Sequence, residues 1–89
     1  MGQVIYKYTF KIDDEVEVKM PYGAQVLKVD SQGGVPTIWA IVNPIMDDVP
    51  HRFRIFGTGH PIEDSIDEST HVATFFDGPF VWHMFSIGD

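Results

Sequence analysis

The chain contains no cysteine. That removes disulfides, thiolate metal sites and a cysteine nucleophile together, and it suits a reducing compartment. Basic residues are scarce: six Lys and Arg stand against thirteen Asp and Glu, a formal net charge of −7. A general DNA or RNA binder needs a basic face to displace counterions, so direct nucleic-acid binding is not expected. No apolar run approaches the roughly 20 residues of a membrane helix. From Met1 the chain enters Tyr6-Lys7-Tyr8 with no basic segment followed by an apolar one, unlike a secretion signal. The expected compartment is the cytoplasm, with no membrane partner.

What is present points to a packed fold. Of the 89 residues, 44% are hydrophobic and 13% aromatic, enough apolar surface to offset chain entropy. The length predicts a single β domain over residues 1–89 with a small, efficient core. The dominant period is two. Tyr6, Tyr8, Phe10 and Ile12 alternate with Lys7, Thr9 and Lys11, and Val16, Val18 and Met20 alternate with Glu15, Glu17 and Lys19. With Asp13-Asp14 between them, these runs predict a hairpin whose Lys7 and Lys11 face Glu15 and Glu17.

Residues 24–32 read as a weakly alternating third strand. Gly33-Gly34 predicts a tight hairpin turn, because both positions tolerate positive φ. The run from Ile38 to Val42 reads as a central strand buried on both faces, with Pro36 at its start. Residues 43–50 read as a loop, and His51 to Phe56 as a strand with Phe53 and Ile55 on one face and Arg52, Arg54 and Phe56 on the other. After an acidic connection over residues 62–70, with room for a single helical turn, a last hairpin turns at Asp77-Gly78-Pro79. Phe80, Trp82 and Met84 alternate with Val81, His83 and Phe85, predicting another central strand. About seven short strands make this an all-β chain, a small antiparallel β-sandwich or a flattened barrel.

The sharpest local feature is Gly57-Thr58-Gly59-His60-Pro61. Two glycines let successive N–H groups converge on an anion, Thr58 adds a hydroxyl, and His60 adds a ring that donates or carries charge. Arg52 and Arg54, on the strand feeding this corner, are guanidinium forks for phosphate or carboxylate. The plainer alternative is a sharp strand exit in which His60 bonds backbone. No helix follows, so the run is not a phosphate-binding fingerprint. Trp39 and Trp82 either stack a flat ring or pack the core, and His83 reads best as a satisfied structural histidine.

No other motif calls for chemistry. His51, His60, His71 and His83 lack close metal-ligand spacing, and Glu63 to Glu68 lacks the pattern of a calcium loop. There is neither a nucleophile elbow nor a P-loop. Neither a catalytic site, a metal nor a cofactor is expected. The candidate ligand-binding set is Arg52, Arg54, Gly57, Thr58, Gly59, His60, Trp39 and Trp82.

Four separated stretches carry a resemblance: Ile5-Tyr6-Lys7-Tyr8, Gly34-Val35-Pro36-Thr37-Ile38-Trp39-Ala40-Ile41-Val42-Asn43-Pro44, Arg54-Ile55-Phe56-Gly57-Thr58-Gly59-His60-Pro61-Ile62 and Phe80-Val81-Trp82-His83-Met84-Phe85. In this order they resemble a family of short tailed-phage and prophage proteins with no established activity. The resemblance implies an accessory protein acting on the host or a minor virion component. An accessory protein would sequester a small anionic, nucleotide-like ligand used in host defence, or block a host protein with its acidic surface. Exposed strand edges and many aromatics also predict a homodimer or higher homo-oligomer, through edge pairing or sheet packing.

Overall fold

The computed structural model describes residues 2–62 and 65–87. It is a two-layer antiparallel β-sandwich, and its sheets do not close into a barrel. The strands are β1 (Val4–Thr9), β2 (Glu15–Pro21), β3 (Gln25–Gln32), β4 (Val35–Val42), β5 (Asp48–Gly57), β6 (His71–Asp77) and β7 (Phe80–Ile87), with a 3₁₀ turn at Glu68–Thr70 before β6. One sheet has the order β1-β4-β3 and the other β2-β5-β7-β6.

Alternation builds the core. Val16, Val18 and Met20 of β2 and Phe53 and Ile55 of β5 are buried, as are Phe75 of β6 and Met84 of β7. They face Val29 of β3 and Ile38, Ala40 and Val42 of β4. Two hairpins form where glycine permits them. Gly33 and Gly34 have φ of 59° and 84°, which joins Gln32 to Val35 as the first pair of the β3–β4 ladder. Gly78, with φ of 58°, turns β6 into β7 between the paired Asp77 and Phe80. Both β4 and β7 are central strands.

The structure corrects three expectations and explains a fourth. First, β1 and β2 do not form a hairpin: β1 pairs with β4 and β2 with β5. Residues 10–14 arch from one sheet to the other, since Phe10 and Ile12 pack against the core between them. Glu15 and Glu17 therefore lie opposite Arg54 and Arg52 rather than Lys11 and Lys7. Second, β4 is fully buried only on its core face beyond Thr37; Trp39 and Ile41 on the outer face are half-buried. The molecule is 18 Å across its thinnest direction, room for two sheets about 10 Å apart and no third layer.

Third, β5 starts at Asp48, inside the expected loop, and contains Pro50. Pro50 lies opposite Lys19 of β2, but β7 pairs with β5 only from Arg52 onward, so the missing N–H breaks no described β5–β7 pair. Fourth, the weak alternation over residues 24–32 has a cause. The β3–β4 register shifts between Val26 and Lys28, which leaves Leu27 as an extra, half-exposed residue. Of the acidic connection, Glu63 and Asp64 lie outside the described residues; Asp67 caps the 3₁₀ turn.

Candidate functional site

The Gly57–His60 corner is a closed turn. The His60 N–H donates to the Gly57 carbonyl at 3.0 Å and the Thr58 N–H to the Val81 carbonyl at 3.2 Å. Gly59 has φ of 87°, a conformation that glycine adopts without steric cost. The expected cradle of converging amides is therefore not formed: two of its donors are already bonded inside the chain. Thr58, Gly59 and His60 are nonetheless exposed at the sandwich end.

Gly57 is buried for another reason. A Cβ there would lie 2.8 Å from the His60 ring and 3.2 Å from the Trp82 indole. The absent side chain lets His60 fold back over the strand, where its ring meets Trp82 edge-on at a centroid distance of 6.5 Å. Beside this arrangement β2 begins: just before its first residue, the Asp14 carbonyl accepts from the Ile55 N–H at 3.0 Å. Past that point β5 has no described strand neighbour on the β2 side. The gap is a cleft of about 410 Å³ lined by Asp14, Arg54, Phe56, Gly57, His60 and Trp82, among others. Alternation along β5 turns the Gly57 N–H to the same side as that of Ile55, into this notch. The Arg54 guanidinium stands 5.4 Å from the Phe56 ring centroid, a cation–π distance. The Trp82 indole N–H is buried with no acceptor among the described residues.

Arg54, Gly57, His60 and Trp82 thus share one cleft. The other four candidates lie elsewhere or turn away. Thr58 points to β7 and His83. Gly59 serves the turn. Arg52 lies farther along β5, its Nε 3.6 Å from the Glu17 carboxylate. Trp39 belongs to the other sheet, between Lys7 of β1 and Lys28 of β3.

A second constellation was not singled out in the sequence. On the outer face of the four-stranded sheet, His83 Nε2 lies 2.7 Å from the Thr58 hydroxyl and its Nδ1 2.9 Å from the Thr74 hydroxyl. Thr74 is in turn 3.0 Å from His71 Nε2. One consistent assignment has Thr58 donating to His83, His83 donating through Nδ1–H to Thr74, and Thr74 donating to His71. Phe85 packs edge-on against both His71 and Phe56. The chain of bonds gives both ring nitrogens of His83 a partner. Only the ladder register, which sets Phe56 and Thr74 on either side of His83, brings these distant residues together. Among the described residues no group of three His, Asp or Glu is placed to hold a metal ion.

No curated protein and no solved structure matches the chain. Residues 1–88 match a family described as a domain of unknown function, DUF7352, and the chain belongs to that family.

Proposed function

We propose that this protein is a non-catalytic binding module whose notch beside the Gly57–His60 turn takes a small ligand with a flat ring and one anionic group. The observation that carries this reading is the convergence of Arg54, Gly57, His60 and Trp82 on one cleft of about 410 Å³, within the roughly 300–1,000 Å³ usual for small-molecule sites. Trp82 and Phe56 offer ring faces. Arg54 and the Gly57 N–H suit an anion, and Asp14 at the same cleft accepts from hydroxyl or amino groups. A nucleoside phosphate combines those features: its anion meets Arg54 and its ring or sugar donors meet Asp14. A net charge of −7 disfavours polyanions away from such a focused site. The resemblance to phage-encoded proteins sets this reading in an infected cell, where the role is to sequester a nucleotide signal of host defence.

Thermal-shift and calorimetric titration against mononucleotides, cyclic di- and trinucleotides and ADP-ribose derivatives test it. A ligand at about 100 times its Kd adds about 2.7 kcal/mol to the folded state, a clear rise in melting temperature. His60→Ala and Arg54→Ala should abolish the rise. Trp39→Ala, in the opposite sheet, should leave it intact. No stabilisation by any member of the panel removes this reading.

A further inference from the structure

A cleft of about 630 Å³, larger than the notch, is the open mouth of the sandwich between β1 and β2. Its walls are the edge strands of the two sheets, joined only by the arch at residues 10–14. We propose that this mouth is the interface for a second copy of the chain, in which β1 of each copy pairs antiparallel with β2 of the other.

Three features agree on this pairing, and the last of them favours one register. The first is the free backbone. The Phe10 N–H donates to the Pro36 carbonyl, so along β1 the even positions point at β4 and Ile5, Lys7 and Thr9 point their N–H and C=O groups outward. On β2 the Asp14 carbonyl accepts from Ile55. Its even positions accordingly point at β5, and Glu15, Glu17 and Lys19 point outward. Setting Lys7 opposite Glu17, Thr9 opposite Glu15 and Ile5 opposite Lys19 joins outward groups to outward groups throughout.

The second feature is the side chains. Val4, Tyr6 and Tyr8 lie opposite Val42, Ala40 and Ile38, so they share the core-facing side of their sheet. Even so, Val4 is 38% and Tyr6 47% exposed, because β2 does not close over them. In the same register they fall beside the core-facing Met20, Val18 and Val16 of the second copy, extending one apolar layer across the junction. The third is charge. Lys7 and Glu17 both belong to outer faces, and the register makes them direct cross-strand neighbours of opposite sign, twice per dimer.

A two-fold axis parallel to the strands and between the layers satisfies all three. It sets each three-stranded sheet beside the partner's four-stranded sheet, and every described free edge at the mouth becomes paired. The reciprocal contact is self-limiting, so the assembly stops at two. The notch at the start of β2 is not part of the paired edge.

Size-exclusion chromatography with light scattering, over a wide dilution range, tests the pairing. The expected mass is twice 10.1 kDa. Lys7→Glu and Glu17→Lys each put like charges opposite each other at both junctions and should weaken association about tenfold; the double exchange should restore it. Lys7→Pro should give a folded monomer, as residue 7 donates nothing to β4 while its ring blocks the outer edge. A chain that stays at 10.1 kDa at every concentration overturns the proposal and leaves the mouth to a different partner. So does a dimer indifferent to the single exchanges.

Discussion

The two rims of the sandwich are built differently. At one, β3 of the three-stranded sheet packs along β6 of the four-stranded sheet. The Ser31 hydroxyl spans the layers there to the Phe76 carbonyl at 3.0 Å. At the other rim β1 and β2 stand apart, tied by five residues of arch, and five of the six residues of β1 are exposed. One chain therefore treats its sheet edges in two ways. The closed rim brings its two edge strands together with a side-chain bond between them; at the open rim the edge strands β1 and β2 have no described strand beside them on their outer sides. Unpaired edges invite association. The difference separates residues that hold the monomer together from residues free to serve a partner.

The sharpest way to break that distinction is to truncate one aromatic at each rim. Phe75 of β6 is 2% exposed and meets the ring of Phe10 edge-on at 6.0 Å. Phe75→Ala removes a fully buried ring and leaves a cavity, so a loss of about 3–5 kcal/mol is expected, a large part of the stability of so small a domain. Tyr6→Ala, on half-exposed β1, should cost the monomer less than about 1 kcal/mol. Urea unfolding at low protein concentration measures both. Equal losses would mean that β1 is as much a part of the monomer core as β6.

A smaller effect isolates the hydroxyl bridge. Ser31→Ala deletes the bond to Phe76 and the longer contact with the Asp77 carboxylate at 3.4 Å. A partly exposed hydrogen bond contributes about 0.5–1.5 kcal/mol, so a modest fall in unfolding midpoint is expected. Amide exchange should quicken in β3 and β6 and not in β1. Quickening spread evenly over both edges would erase the contrast between the rims.

How far the sequence reveals this depends on the range of the interaction. Gly33-Gly34 and Asp77-Gly78-Pro79 announce their hairpins because a turn is decided by the residues inside it. Phe53 and Ile55 announce their face because alternation is local too. The arch is hidden by the same rule. Phe10 and Ile12 continue the alternation of β1 without interruption, so the pattern reads on into a hairpin; only the core that receives them shows that the chain has changed sheets. Leu27 hides its bulge as a blurred period. At the notch, the glycines announce a turn, but the amides of that turn depend partly on Val81, more than twenty residues away. Trp39 and Trp82 look alike in sequence, each on a central strand, and sheet assignment alone parts them. His83 gains its two threonines through strand register, which no local pattern encodes.

The smallest effect concerns the approach to the closed rim. Asp67 caps the 3₁₀ turn that leads into β6: its carboxylate accepts from the Ser69 hydroxyl at 2.7 Å and the Ser69 N–H at 2.9 Å. These bonds favour the charged form and hold its pKa below the ordinary carboxylate value. A lowered pKa means the unfolded chain takes up this proton first. The contribution is therefore complete above the unfolded value and fades as pH falls through the folded one. The group is fully exposed, so solvent screens the effect. Asp67→Ala should leave the global midpoint nearly unchanged at neutral pH while speeding amide exchange at Ser69, Thr70 and the first residues of β6. On acidification through this lowered value the parent protein should lose that same local protection, and the variant should show no matching change there. If acid instead loosened this segment equally in both proteins, the cap would have no part in anchoring the closed rim.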